Sequence, residues 1–171
     1  MTNISTNTAY ITLAIASYAN NMTKEGAWCV YGKAYADGKK PIDTLVISNR
    51  AIGATTDNQM MLTGTIEALK ATIDHQKPVY LLVNSKYVLD GIQKHGAKWE
   101  RNGWRGADKK TVANKDQWAE LLVLCKSPLV TISECGGGRH NKLYEQAKAK
   151  AKDLIVPALV NRTGFAGGSN F

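Results

Sequence analysis

A chain of 171 residues, 44% of them apolar, suffices for one ordinary domain with a buried core. It contains no apolar run near the length of a membrane span, so its partners are expected to be something other than a membrane. The formal net charge of +8 favours a polyanion, nucleic acid first.

The stretch AYITLAIASY lacks a basic leader and mixes β-branched with small residues. It reads as a buried strand over 9–17 rather than a signal peptide. Strands over 27–36 and 42–48 follow, joined by NNMTKEG and DGKKP, which carry turn chemistry. The period then changes. Leu62, Ile66, Leu69 and Ile73 mark one stripe of a helix. Thr56, with Gln59 three residues on, predicts a capping box at its start. VYLLV, 79–83, is a continuous apolar run of the kind that suits a strand buried on both faces. Ser85 caps the next helix, which carries Val88, Leu89 and Ile92. Asn114 and Gln117 predict the cap of another helix, bearing Trp118, Leu121, Leu122 and Leu124. LVTIS is a fifth strand and CGGG a hinge. From Asn141 a last helix places Tyr144, Ala147, Ala151 and Leu154 on one face, until Pro157 ends or bends it.

The order β-β-β-α-β-α-insert-α-β-α implies an α/β fold. Its mixed five-stranded sheet would have three antiparallel strands first, then parallel additions, with helices flanking it. The expected division is one domain over 1–156, with a basic insert at about 98–115, and a flexible tail over 157–171. Cys29, Cys125 and Cys135 are odd in number and lack metal-ligand spacing. They read as reduced thiols of a cytoplasmic protein rather than a disulfide frame or a zinc site.

The insert is unlike a core segment. From Trp99 to Trp118 it holds three tryptophans, and Arg101, Arg105, Lys109 and Lys110 fall within its first dozen residues. The stretch 81–122 around it resembles ribonuclease H of the bacterial type-one kind. The family's strand ending in Thr-Asp-Ser corresponds to VNS. The family's basic handle corresponds to Trp99, Gly103-Trp104, Ala107-Asp108-Lys109-Lys110, Val112, Asn114, Asp116 and Trp118. A second block, TTDNQMMLTGTIEAL, is similar to the family's Thr-Asn-Asn-Arg-Met-Glu-Leu and the helix after it. The resemblance spans roughly 9–153.

The resemblance implies that the handle grips the DNA strand of an RNA/DNA hybrid. Arg101, Arg105, Lys109 and Lys110 would neutralise phosphates there. Trp99 and Trp104 either lie against sugars and bases or pack the handle onto its helix, whereas Trp118 begins an apolar helical face and reads as core. Asn21, Asn58, Asn84 and Lys86 complete the expected nucleic-acid contacts. Asp57 reads as support for a helix dipole. Lys142, Lys148, Lys150 and Lys152 extend the basic surface or form a solvated helix face.

The family also implies two divalent metals held by four acids. Carried over, those positions fall at Ile15, Met61, Asn84 and Glu145, so only one remains acidic. The family's hinge histidine has no clear counterpart, since His140 is displaced. The resulting expectation is a catalytically inactive pseudo-enzyme that binds no metal and no cofactor. It would hold RNA/DNA hybrid, structured RNA or single strands in a groove freed of three negative charges. One alternative is a metal-dependent ribonuclease H with a rearranged site. A second is a protein-interaction scaffold that uses the old active-site face or the tail.

Overall fold

A computed structural model describes residues 4–37, 40–53, 55–136 and 139–155, the side chains of 139–141 excepted. The predicted hinge glycines 137 and 138, the side chain of His140 and the tail from 156 onward lie outside the described residues.

Three antiparallel strands open the chain: β1 (Tyr10–Asn20), β2 (Glu25–Tyr35) and β3 (Pro41–Ile52). All three are longer than predicted, β1 and β3 mainly at their far ends and β2 at its start, although β1 begins and β2 ends one residue inside the predicted span; regular pairing continues beyond the apolar stretches that reveal them in sequence. Helix α1 (Asp57–Ile73) begins at the predicted capping box. The Thr56 hydroxyl accepts from the Gln59 N–H, and the Gln59 side chain accepts from the Thr56 N–H. β4 (Val79–Val83) then adds parallel to β1, and β5 (Val130–Glu134) adds parallel to β4. The sheet order is β3-β2-β1-β4-β5, the mixed arrangement expected. β4 departs from the expected burial on both faces at Tyr80, which is exposed.

Side-chain alternation along β1 sorts the core into two layers. Ile11, Leu13 and Ile15 join Leu62, Ile66 and Leu69 of α1 in the larger cluster. Ala14 and Ala16 face the other way, towards Leu143, Ala147 and Ala151 of α5 (Arg139–Ile155). The small alanines let that helix approach closely.

Ser85 caps α2 (Lys86–Asp90) as predicted, its hydroxyl accepting from the Val88 N–H. A π-helical turn (Gly91–His95) and α3 (Gly96–Arg101) continue the helical path. Helix α4 (Lys115–Cys125) packs on α1, and Gln117 Nε2 donates to Thr63 Oγ1 at 2.7 Å. The expectation that Asn114 caps α4 is corrected. Asn114 adopts a left-handed backbone, φ 58°, and its side chain makes no cap bond; its amide donates instead to the Tyr87 hydroxyl at 3.2 Å. No helix among the described residues is long and apolar enough to cross a membrane. Cys29, Cys125 and Cys135 take part in no disulfide. Burial pushes the Cys29 and Cys125 thiols up to about 11.

Candidate nucleic-acid interface

The handle is built outward from a tryptophan stack. Trp118 is wholly buried, and Trp99 meets it edge-on with ring centroids 5.2 Å apart, while His95 stacks on the outer side of Trp99 at 5.6 Å. Tyr87 accepts from the Trp118 indole N–H at 2.9 Å, which satisfies the one polar atom of that ring. Trp99 and Trp104 are partly buried against the main core, so much of their surface serves to fasten the handle to the domain.

Beyond Arg101 the chain reverses through Gly103 and Trp104, both at positive φ. The Trp104 N–H donates to the Trp99 carbonyl at 2.7 Å, and the Val112 N–H donates to the Trp104 carbonyl at 2.9 Å. An Arg105–Thr111 bridge closes the tip, where the Gly106 N–H reaches the Lys110 carbonyl and Arg105 Nη1 donates to the Lys109 carbonyl at 2.9 Å. Arg101 at the end of α3, and Arg105, Lys109 and Lys110 on the folded tip, are all exposed. Bracing of this kind fixes the backbone that carries these cations.

The positions that the family fills with acids fall within β1, on α1, just past β4 and on α5. Ile15 is fully buried and Met61 nearly so, both within the same apolar cluster. Asn84, just past β4, and Glu145, on α5, are exposed. Asn21 and Asn58 are exposed as well. Asp57, at the first turn of α1, accepts from the Ser17 hydroxyl at 2.7 Å, a contact that sequence reasoning did not foresee because it joins residues 40 apart. Lys86 is exposed, but its ammonium lies 2.7 Å from Asp90, and Lys94 lies 2.6 Å from the same carboxylate. Those two hydrogen-bonded lysines hold the Asp90 carboxyl down at about 2. The charge that Lys86 brings is therefore shared with Asp90.

The two divalent metals implied by the family do not fit the residues present. Two of the four positions offer only hydrocarbon or thioether, and among the described residues no three His, Cys, Asp or Glu side chains converge to hold a metal ion.

The strand order, the two helical layers and the basic loop after the broken helix together define an RNase H-like α/β protein. The family model for RNase H matches residues 7–153, and the chain belongs to that family. A ribonuclease H of Nitratidesulfovibrio vulgaris is 45% identical over 118 residues, covering 68% of this chain and 72% of the relative. A ribonuclease H of Ruthia magnifica is 36% identical over 126 residues, covering 74% and 82%. One from Hyphomonas neptunium is 44% identical over 99 residues, covering 58% and 65%.

Among solved structures, LC9-RNase H1, a type 1 RNase H with the type 2 active-site motif, superposes with a TM-score of 0.66. It has 22% identity and covers 88% of this chain and 72% of the other. The solution structure of the PFV RNase H domain gives 0.64, at 16% identity, covering 85% and 94%. These structural likenesses concern the fold.

These findings overturn the expectation of a catalytically inactive pseudo-enzyme. The chain belongs to a family whose relatives at 36–45% identity are themselves ribonucleases H. Ile15, Met61 and Asn84 bear only on the family's own ligand positions. A changed residue at such a position shows a changed ligand set and does not by itself show a lost activity.

Proposed function

We propose that this chain is a ribonuclease H-type nuclease that acts on RNA/DNA hybrids through a rearranged site. The observation that carries the reading is family membership over 7–153, with the handle and its four exposed cations in place. Arg101, Arg105, Lys109 and Lys110 hold the DNA strand by its phosphates. The exposed amides of Asn21, Asn58 and Asn84 offer donors to sugar or phosphate oxygens at the ends of β1, α1 and β4. Trp99 and Trp104 contribute mainly by fixing the handle's posture. Reduced thiols support a cytoplasmic setting.

The reading rests on kinship and on the handle, not on a carboxylate cluster. Its test is direct. Highly purified protein is incubated with end-labelled RNA/DNA hybrid, double-stranded RNA, double-stranded DNA and single strands, with Mg²⁺, with Mn²⁺ and with EDTA. The expected result is loss of the RNA strand from the hybrid alone, greatly reduced in Glu145→Gln. Intact hybrid under every condition, or cutting that Glu145→Gln leaves untouched while it disappears on further purification, would sink the reading.

A further inference from the structure

The strands β1, β4 and β5 run parallel, and β4 and β5 end side by side at Val83 and Glu134. The crevice outside the carboxyl ends of parallel strands is where open α/β sheets bind their ligands. The chain leaves β4 at this end through Asn84 and the cap residue Ser85. Lys86, Asp90 and Lys94 then follow at four-residue steps along α2 and the π-helical turn. The Lys86 and Lys94 ammoniums lie 2.7 and 2.6 Å from the two oxygens of the one Asp90 carboxylate. Glu134 joins these three side chains around an open hollow of about 290 Å³.

The acid lies beneath its two partners. The Asp90 side chain is 22% exposed, against 82% for Lys86 and 59% for Lys94, so a phosphate arriving from solvent meets the ammoniums first. An ammonium has three donors, and each of these keeps some in reserve beyond Asp90. The charge balance opposes their use. Two cations face two carboxylates here, because Glu134 acts on Lys86 as well. The two hydrogen-bonded lysines hold the Asp90 carboxyl down at about 2, so it stays ionised near neutral pH. The handle differs: among the described residues, Arg101, Arg105, Lys109 and Lys110 form no ion pair.

We infer that Asp90 attenuates the grip on nucleic acid: it neutralises Lys86 and Lys94, which would otherwise hold a backbone phosphate of the strand that passes Asn84. The inference rests on the reading of the chain as a protein that binds RNA/DNA hybrid, and adds a control on the strength of that binding. Asp90 acts through the two lysines and does not itself touch the strand, so it is a positioning residue. The handle supplies the salt-sensitive hold, and this cluster adds little to it while the carboxylate is present. A weaker grip at this end favours departure of the strand, since affinity differences among variants of one interface lie mostly in the off-rate.

Fluorescence anisotropy of the full chain with labelled RNA/DNA hybrid in EDTA, repeated across a salt series, tests this. Asp90→Asn should bind the hybrid more tightly, and the slope of log K against log salt concentration should steepen by about 0.9 for each lysine that gains a phosphate. Asp90→Glu, which keeps the carboxylate, should match the unmodified chain. Lys86→Ala and Lys94→Ala should each change the slope little on their own, yet each should remove about 0.9 from it in the Asp90→Asn background. An ion pair that merely braces the helix would leave affinity and slope alike in all of these chains, and that result would overturn the inference. Weaker binding by Asp90→Asn, equal gains from Asp90→Asn and Asp90→Glu, or no binding by any of the chains would overturn it too. Cleavage plays no part in these measurements, so an intact hybrid in the nuclease assay and a failure here are separate results.

Discussion

Gly91 lies so close beneath the Trp118 indole that a methyl group added there would overlap the ring. The absent side chain is what lets the tryptophan stack reach the helix that carries the handle. Gly91→Ala is therefore expected to lower stability by about 1–3 kcal/mol through overpacking, despite the better helix propensity of alanine. Urea denaturation followed by tryptophan fluorescence checks this. An unchanged midpoint would mean that the ring can slide aside.

The Tyr87 hydroxyl serves two donors, the Trp118 indole and the Asn114 amide. Tyr87→Phe preserves the ring contact but strands a buried indole N–H. The expected loss is about 1–3 kcal/mol, larger than for Asn114→Ala, whose partner hydroxyl keeps the indole. Denaturation of the two variants side by side decides the order.

Each handle cation that contacts a phosphate should leave a signature in salt dependence. Replacing Arg101, Arg105, Lys109 or Lys110 singly by Ala should reduce the slope of log K against log salt concentration by about 0.9. Hybrid binding measured across a salt series gives the slope. Arg105→Ala should also loosen the tip, because its guanidinium braces the Lys109 carbonyl. Slopes identical to the unmodified chain would remove the handle from the interface.

Alkaline pH should weaken the fold. Burial raises the Cys29 and Cys125 thiols to about 11 from an ordinary 9.0, so the folded chain holds these protons more firmly than the unfolded one. Their stabilising contribution is complete below pH 9 and is lost as pH rises towards 11. Denaturation midpoints at pH 8, 9, 10 and 11 should fall more steeply for the unmodified chain than for Cys29→Ala. Parallel pH profiles would exclude the thiol as the cause.

Much of the fold is legible in the sequence because local and global signals agree. The Thr56–Gln59 box, the Ser85 cap and the apolar stretch 79–83 each specify what the structure contains. The features hidden from sequence are tertiary. Asn114 carries every local mark of a cap, yet the Tyr87 hydroxyl, 27 residues away, claims its amide. The Ser17–Asp57 bond joins a strand to a helix, and the Tyr10–Tyr35 and Thr12–Tyr80 pairs come from register between strands; no single segment encodes either. The handle is readable because its tryptophans and cations lie close together in the chain. The acid site is readable only as a departure from the family's positions, and inferring lost catalysis from that departure goes further than the residues allow.

The π-helical turn between α2 and α3 has a geometric consequence. A π turn accommodates one residue more than an α turn, and an α-helix rotates by about 100° per residue. Deleting a single residue between Gly91 and His95 would thus swing α3 and the Arg101 end of the loop around the helix axis. The compass bearing of the whole basic arm, and hence the path of any strand laid along it, is set by the length of this one short turn.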